Sequence, residues 1–139
     1  MKKEEAINLI KAFFTSKEFP LNSFNSENNY FQAMVDDSIV AFNFRDEMLI
    51  CSSLIYEFQR PPKTKVLEEI EAEADLEKRG KVKFEEENRT LYISKEFAEV
   101  IEEEDFINKM NLLIDASKNW SNEVLDRVAS KAFHPEEIT

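Results

Sequence analysis

Glycine, histidine and cysteine are almost absent from this sequence, which contains one residue of each. The single glycine, Gly80, excludes the glycine-rich loops that hold phosphates in P-loop and dinucleotide-binding proteins. The single histidine, His134, stands beside a proline in a predicted C-terminal tail. One histidine in such a place excludes metal sites built on histidine and disfavours a histidine-dependent catalytic triad. We therefore predict no cofactor and no metal site, and we expect that the protein is not an enzyme.

The lone cysteine, Cys51, lies inside a predicted strand. One cysteine allows no disulfide framework within the chain, and no histidine stands near it in the sequence to activate the thiol. We predict a buried side chain that packs as a small hydrophobic residue.

Basic residues and long hydrophobic runs are also scarce. Acidic residues number 29 against 18 basic ones, which gives a net charge of −11 at pH 7. This charge repels phosphate backbones and anionic lipids, and no apolar run approaches the ~20 residues that span a bilayer. The first residues, MKKEEAINLI, carry acids where a signal peptide has its apolar core. We expect a cytoplasmic location, no nucleic acid, no membrane contact, and a partner that is basic or apolar.

The stretch 30–58 organises the rest of the chain. It reads YFQAMVDDSIVAFNFRDEMLICSSLIYEF, in which acidic pairs separate three apolar runs of strand length. Breaks this short are typical of hairpins, so the stretch predicts a three-stranded antiparallel meander.

Both faces of this meander are apolar. The second strand presents Val40, Phe42 and Phe44 on one face, whereas the third strand is apolar throughout. Two apolar faces need cover, either from helices of this chain or from another chain. The residues on the opposite face of the second strand are Ile39, Ala41 and Asn43.

Helices and a hairpin surround the meander. The 3.6-residue spacing of apolar residues predicts a first helix over 3–15 and a second over 63–78, with Gly80 as its left-handed cap. Alternation predicts strands at 81–86 and 90–95. A long helix over 103–133 carries one apolar stripe, and its Trp120 is either core or a binding anchor. The stripe comprises Phe106, Met110, Leu113, Ser117, Trp120, Val124 and Val128.

These elements predict an α+β fold of order α-β-β-β-α-β-β-α. We expect all strands in one antiparallel sheet, with the long C-terminal helix packed on the face of Val40, Phe42 and Phe44. Residues 1–139 would form a single domain, since a chain of this length builds one core.

The element order and several local patterns resemble the type III secretion chaperones of the Tir chaperone (CesT-like) family. The matching segments are INLIKAFF at 7–14, ICSSLIYEF before Pro61, VLEEIEAEADL at 66–76 and FINKMNLLIDASKNWSNEVLDRV at 106–128. The resemblance covers residues 3–130 and rests on pattern and order. YbjN-like proteins share a similar arrangement and are a competing resemblance.

The resemblance implies a homodimeric chaperone that holds the N-terminal segment of an effector in extended form. In that family the segment lies on apolar grooves made by the first helix and the sheet, and adds strand-like contacts. The second helix and the next strand usually form the dimer contact. Here that helix reads EEIEAEADLEKR and is strongly acidic, so we expect the dimer to use the hairpin 81–95 instead.

We predict the partner-binding groove between the first helix and the meander. Phe13 and Phe14 are adjacent on one helix and point about 100° apart, so one ring is expected near the surface. The alternative is that the loop 17–29 folds back over that ring through Phe19, Leu21 and Phe24. The predicted groove residues are Ile10, Phe13, Phe14, Phe31 and Val35.

Two other functions stay open beside the chaperone. One is a YbjN-like regulatory or scaffolding protein of the same fold with no role in secretion. The other is a catalytic or ligand-binding domain, since the sequence leaves open which of the many acids meet in space.

Overall fold

The computed structural model describes residues 1–20 and 25–133. Its helices are α1 (Lys3–Ser16), α2 (Thr64–Ala74), α3 (Glu103–Asn119) and α4 (Leu125–Phe133), with a π-helical turn, Trp120–Val124, between the last two. Its strands are β1 (Tyr30–Val35), β2 (Ser38–Arg45), β3 (Met48–Glu57), β4 (Lys81–Glu85) and β5 (Thr90–Phe97).

The five strands form one antiparallel sheet in the order β1-β2-β3-β5-β4. The predicted meander is confirmed, and both of its turns have two residues. Asp36 and Asp37 have φ of 50° and 65°, and Asp46 and Glu47 have φ of 55° and 59°. These left-handed pairs match the twist of a hairpin, and aspartate tolerates the conformation better than most residues.

One face of the sheet, the inner face, carries the core. Val40, Phe42 and Leu49 on this face are at most 1% exposed. α1 packs its phenylalanine rings on Phe42, and α3 lies beside α1 across β2, β3 and β5. The predicted α+β class, element order and position of the long helix are confirmed.

The long C-terminal helix is continuous but contains the π-helical turn. All seven residues of the predicted stripe are at most 5% exposed. The Leu125 N–H donates to the Trp120 carbonyl, five residues back. Within the stripe, Trp120, Val124 and Val128 follow one another at four-residue intervals, and a π turn keeps residues at this spacing on one face of the helix.

The end of α2 and the role of Gly80 were predicted wrongly. α2 ends at Ala74 rather than Lys78, and Leu76 is 72% exposed. Gly80 has no left-handed φ. A Cβ at Gly80 would lie 2.8 Å from Leu113 Cδ1 and 2.9 Å from the Ser94 carbonyl oxygen. The glycine is needed because α3 and β5 approach the chain closely here, and not because a helix is capped.

The hairpin β4–β5 is confirmed with slightly different ends from those predicted. Val82 lies opposite Ile93, and Phe84 opposite Leu91. β4 and β1 are the two edges of the sheet.

Candidate functional site

The cleft between α1 and the meander is the site that the sequence predicted. Ile10 and Phe31 line it, together with Ile7 on α1. The space enclosed is about 20 Å³, room for about one water molecule. The interface between α1 and the sheet therefore leaves almost no open space.

The expectation that Phe13 or Phe14 would lie near the surface is wrong. Both are 0% exposed. Their ring centroids lie 6.1 Å and 5.6 Å from that of Phe42. Both side chains therefore reach the same core layer, where each ring packs against Phe42.

The chain after α1 folds back over Phe14. Glu18 is left-handed with φ 55°, and the Phe19 N–H donates to the Phe14 carbonyl at 2.9 Å. The Glu18 N–H donates to the Thr15 carbonyl, which completes a Schellman motif. The Phe19 and Phe14 rings stack with centroids 4.9 Å apart. The covering-loop alternative is confirmed for Phe19, while Leu21 and Phe24 lie outside the described residues.

The remaining predicted residue, Val35, belongs to the core. It is 3% exposed at the end of β1, opposite Ser38. Phe31 packs edge-on against Phe14, with centroids 5.5 Å apart. Of the five predicted groove residues, the structure therefore brings Ile10 and Phe31 to the cleft. Whether a partner binds there stays a prediction.

The opposite face of the sheet, the open face, was not singled out as a site by sequence. Ala41 lies between Gln32 and Ser52 on neighbouring strands, and Leu54 lies opposite Tyr92. A cavity of about 460 Å³ spans all five strands, with Glu57 and Glu85 at its rim. The sequence left open whether helices of this chain or another chain cover the two apolar faces. The described helices cover the inner face. The open face comprises Gln32, Ile39, Ala41, Leu54, Thr90 and Tyr92.

Ionic contacts join α2 and the segment after it to the C-terminal helix. Arg127 donates from Nε and a terminal nitrogen to the Glu73 carboxylate at 2.8 and 2.9 Å. Arg79 donates two hydrogen bonds to the Glu77 carboxylate in the same bidentate geometry. Trp120 Nε1 donates to Glu77 Oε1 at 3.0 Å. The hydrogen bonds from Arg79 lower the pKa of Glu77 to about 2, and those from Arg127 lower the pKa of Glu73. Neither carboxylate is suited to donate a proton near neutral pH.

Trp120 and Cys51 are both core residues. Trp120 is 1% exposed and Cys51 is 0% exposed. Burial raises the pKa of the Cys51 thiol well above its ordinary value, so the thiolate that a nucleophile needs is disfavoured.

The described residues show neither a metal-binding cluster nor a membrane-crossing helix. Within 1–20 and 25–133, no three histidine, cysteine, aspartate or glutamate side chains come together in a way that could hold an ion. Over the same ranges no helix combines the length and the apolar character needed to cross a bilayer.

No protein-family model matches the chain, and no curated protein matches its sequence. Solved structures do match it. A chain of the ExsC–ExsE complex superposes with a TM-score of 0.68 at 13% identity, over 88% of this chain and 95% of that one. A chain of the HopA1–SchA chaperone–effector complex superposes with a TM-score of 0.64 at 14% identity, over 86% and 94%.

A third match is the ExoU–SpcU heterodimer from the type III secretion system of Pseudomonas aeruginosa. Its TM-score is 0.55 at 10% identity, over 81% of this chain and 94% of that one. The chain has the fold of the type III secretion chaperones. The predicted resemblance is confirmed at the level of the fold.

Proposed function

We propose that the protein is a cytoplasmic secretion chaperone that binds the extended N-terminal segment of an effector protein. The observation that carries the proposal is the shared fold, which covers more than nine-tenths of each matched chain. One of those complexes is described as a chaperone with its effector. The net charge of −11 favours a segment with a basic bias and would speed its encounter at low salt.

The binding groove in this proposal is the cleft between α1 and β1, extended along β1. Tyr30 and Met34 on this edge strand are 52% and 59% exposed. An extended segment along β1 would cover both side chains and place one apolar side chain at the mouth beside Ile7 and Ile10. Because the cleft encloses only about 20 Å³, its walls would have to move apart to admit that side chain. Phe13, Phe14 and Val35 would support the groove from beneath.

Two variants of α1 test the groove. Ile7→Asp places a charge at the half-buried mouth of the cleft, whereas Asn8→Asp places the same charge on the exposed side of the helix. The protein is first purified from its native cells and the bound effector identified. The N-terminal segment of that effector is then co-expressed with each variant, and binding is measured by calorimetry.

We expect Ile7→Asp to weaken binding at least about tenfold, and Asn8→Asp to leave it unchanged. Melting temperatures of both variants are compared with that of the wild-type protein, so that unfolding is recognised. Wild-type affinity in a folded Ile7→Asp variant would contradict the groove. Purification without any bound protein, together with no binding of effector segments, would contradict the chaperone function.

We further propose that the chaperone is a homodimer joined through the free edge of β4. Its sequence, KVKFE, is self-complementary when it pairs antiparallel with a second copy around Lys83. Lys81 then stands opposite Glu85 of the second copy, and Val82 opposite its Phe84. α2 is a poorer interface, since Glu68 and Glu71 are exposed on it.

Light scattering at micromolar concentration tests the dimer. The monomer mass is 16.3 kDa, and we expect about twice that. Lys81→Glu should weaken the dimer because it places acids opposite each other, whereas Lys83→Thr should strengthen it by removing the central like-charge pair. Lys109→Glu, on an exposed position of α3, is the matched charge control. A wild-type mass of one chain would contradict the dimer.

A further inference from the structure

The segment 78–87, which contains β4, carries its charges in two blocks. It reads KRGKVKFEEE, with four basic residues in its first part and three acids at its end. The segment lies along a free edge of the sheet, because β5 is the only described strand that pairs with β4. Such an edge can accept a further strand whose charges run in the opposite direction.

The lysines of the first block have no ionic partner within the chain. Among the residues that the structure describes, no carboxylate forms an ion pair with Lys78, Lys81 or Lys83, although the sequence contains 29 acids. A cavity of about 340 Å³ lies beside the start of β4 and has a basic lining. Its charged lining residues are Lys78, Lys81, Lys83 and Lys95, with one acid, Glu96.

The acids of the second block form the turn that follows β4. The Glu85 carboxylate accepts hydrogen bonds from the backbone N–H groups of Glu87 and Asn88 at 3.1 and 2.8 Å. Glu87 itself is exposed. Neither glutamate forms an ion pair with a described residue. The turn therefore presents negative charge at one end of the edge, while the lysines present positive charge at the other.

The order of these charges decides which kind of segment fits the edge. A basic segment would meet the unpaired lysines, and an acidic segment would meet the acidic turn. A segment with both blocks fits when it runs antiparallel, because each basic block then lies beside an acidic one. A second copy of this chain supplies that segment. Parallel pairing of two copies would instead place like charges opposite each other.

The register of the proposed dimer brings the acidic turn to one particular lysine. When that register is continued beyond β4, Glu87 of the second copy lies opposite Arg79 and one residue from Lys78. The Arg79 guanidinium already donates to Glu77 at 2.8 Å. Lys78 is exposed, so it is the cation that remains for Glu87.

We propose that the charge order of 78–87 makes the dimer specific for a second copy, with the acidic turn of each chain against Lys78 of the other. This contact rests on the proposed function, since it belongs to the β4 dimer, and it lies outside the paired strands. Two-fold symmetry forms the contact between Lys78 and Glu87 twice. Reversing one of the two charges should break it, whereas exchanging both should preserve it.

Two single variants with reversed charges test this contact. Lys78→Glu places an acid beside Glu87 of the second copy, and Glu87→Lys places a lysine beside Lys78. Sedimentation measurements give the dissociation constant of the dimer for each variant. We expect each constant to rise about tenfold, because two like-charge contacts replace two ion pairs. An equimolar mixture of both variants should form a heterodimer with nearly the wild-type constant, because both contacts again join opposite charges.

Two further variants control for net charge. The double variant Lys78→Glu with Glu87→Lys has the net charge of the wild-type protein and should return to within about threefold of its constant. Lys109→Glu makes the same charge change as Lys78→Glu at an exposed position of α3, and should alter the constant less than about twofold. Melting temperatures identify any variant that fails to fold.

The outcomes separate this contact from the rest of the proposed function. Single variants that dimerise like the wild-type protein would overturn the contact but not the dimer, which Lys81→Glu tests. A mixture that associates no better than the single variants would also overturn the contact. A wild-type protein with the mass of one chain would contradict both contact and dimer. Restored association in the mixture, together with no binding of effector segments, would support the contact and contradict the chaperone function alone.

Discussion

Gly80, the residue just before β4, is closely surrounded by atoms of α3 and β5. A methyl group there would meet Leu113 Cδ1, Ile93 Cγ1 and the Ser94 carbonyl, all within 2.9 Å. Leu113 can change its rotamer, but the carbonyl belongs to a paired strand and cannot move independently. The position tolerates hydrogen alone without a shift of α3 or β5.

We therefore expect Gly80→Ala to lower the free energy of unfolding by about 1–3 kcal/mol, measured by urea denaturation. The double variant Gly80→Ala with Leu113→Ala should cost less than the sum of the two single changes, because the leucine no longer fills the space. A loss below about 0.3 kcal/mol in the single variant would show that the chain relaxes around the methyl group.

At the scale of elements, α3 provides a matched pair of leucines. Leu113 is 0% exposed against the inner face, and its neighbour Leu112 is 49% exposed. Leu113→Ala should lower the free energy of unfolding by about 2–5 kcal/mol through lost contacts and a residual cavity. Leu112→Ala makes the same chemical change at the surface and should cost less than about 0.5 kcal/mol. Similar losses in both variants would contradict the packing of α3.

The elements that could be predicted from sequence are those that local patterns determine. Acidic pairs between apolar runs defined the turns at Asp36 and Asp46, and heptad-like spacing located the stripe from Phe106 to Val128. These features depend on periodicity along the chain. The sequence therefore predicted the five strands, their order of pairing in the meander and the buried side of the last helix.

The features that were missed depend on contacts between distant residues. Glu77 leaves α2 because it accepts hydrogen bonds from Arg79 and from Trp120, which is 43 residues away. Both Phe13 and Phe14 are buried because Phe42 and Phe19 reach them. Periodicity on one helix cannot show what the next element covers, so the predicted exposed ring was wrong.

At the scale of the whole molecule, the charged residues and the helices that cover the sheet are unevenly distributed. The inner face is covered by helices of this chain, the open face carries lysine as well as glutamate on β4, and the two edge strands differ in their charged residues. β1 has no charged residue, whereas β4 has both signs. Under the proposed function, β1 would meet an extended segment and β4 would meet a second copy.

The response of the whole molecule to acid follows from Glu77. Its folded pKa is lowered from 4.5 to about 2 by Arg79 and Trp120. A lowered folded pKa contributes stability that is present above the unfolded pKa and is lost as pH falls through the folded pKa. A shift of this size corresponds to about 3 kcal/mol, which solvent screening reduces to a contribution on the order of 2 kcal/mol. Protonation of the many other acids first relieves repulsion as pH falls from 7 toward the isoelectric point near 4.6.

We expect the free energy of unfolding to change little or rise between pH 7 and about 5, and to fall steeply between about 4.5 and 2. Glu77→Gln cannot titrate but keeps an oxygen that accepts from Trp120 Nε1. The variant should be less stable at pH 7 and should lose less stability over the acidic range. Glu86→Gln, at an exposed turn, is the matched control and should follow the wild-type curve. Equal losses of stability in Glu77→Gln and the wild-type protein between about pH 4.5 and 2 would contradict a contribution of Glu77 to the acid response.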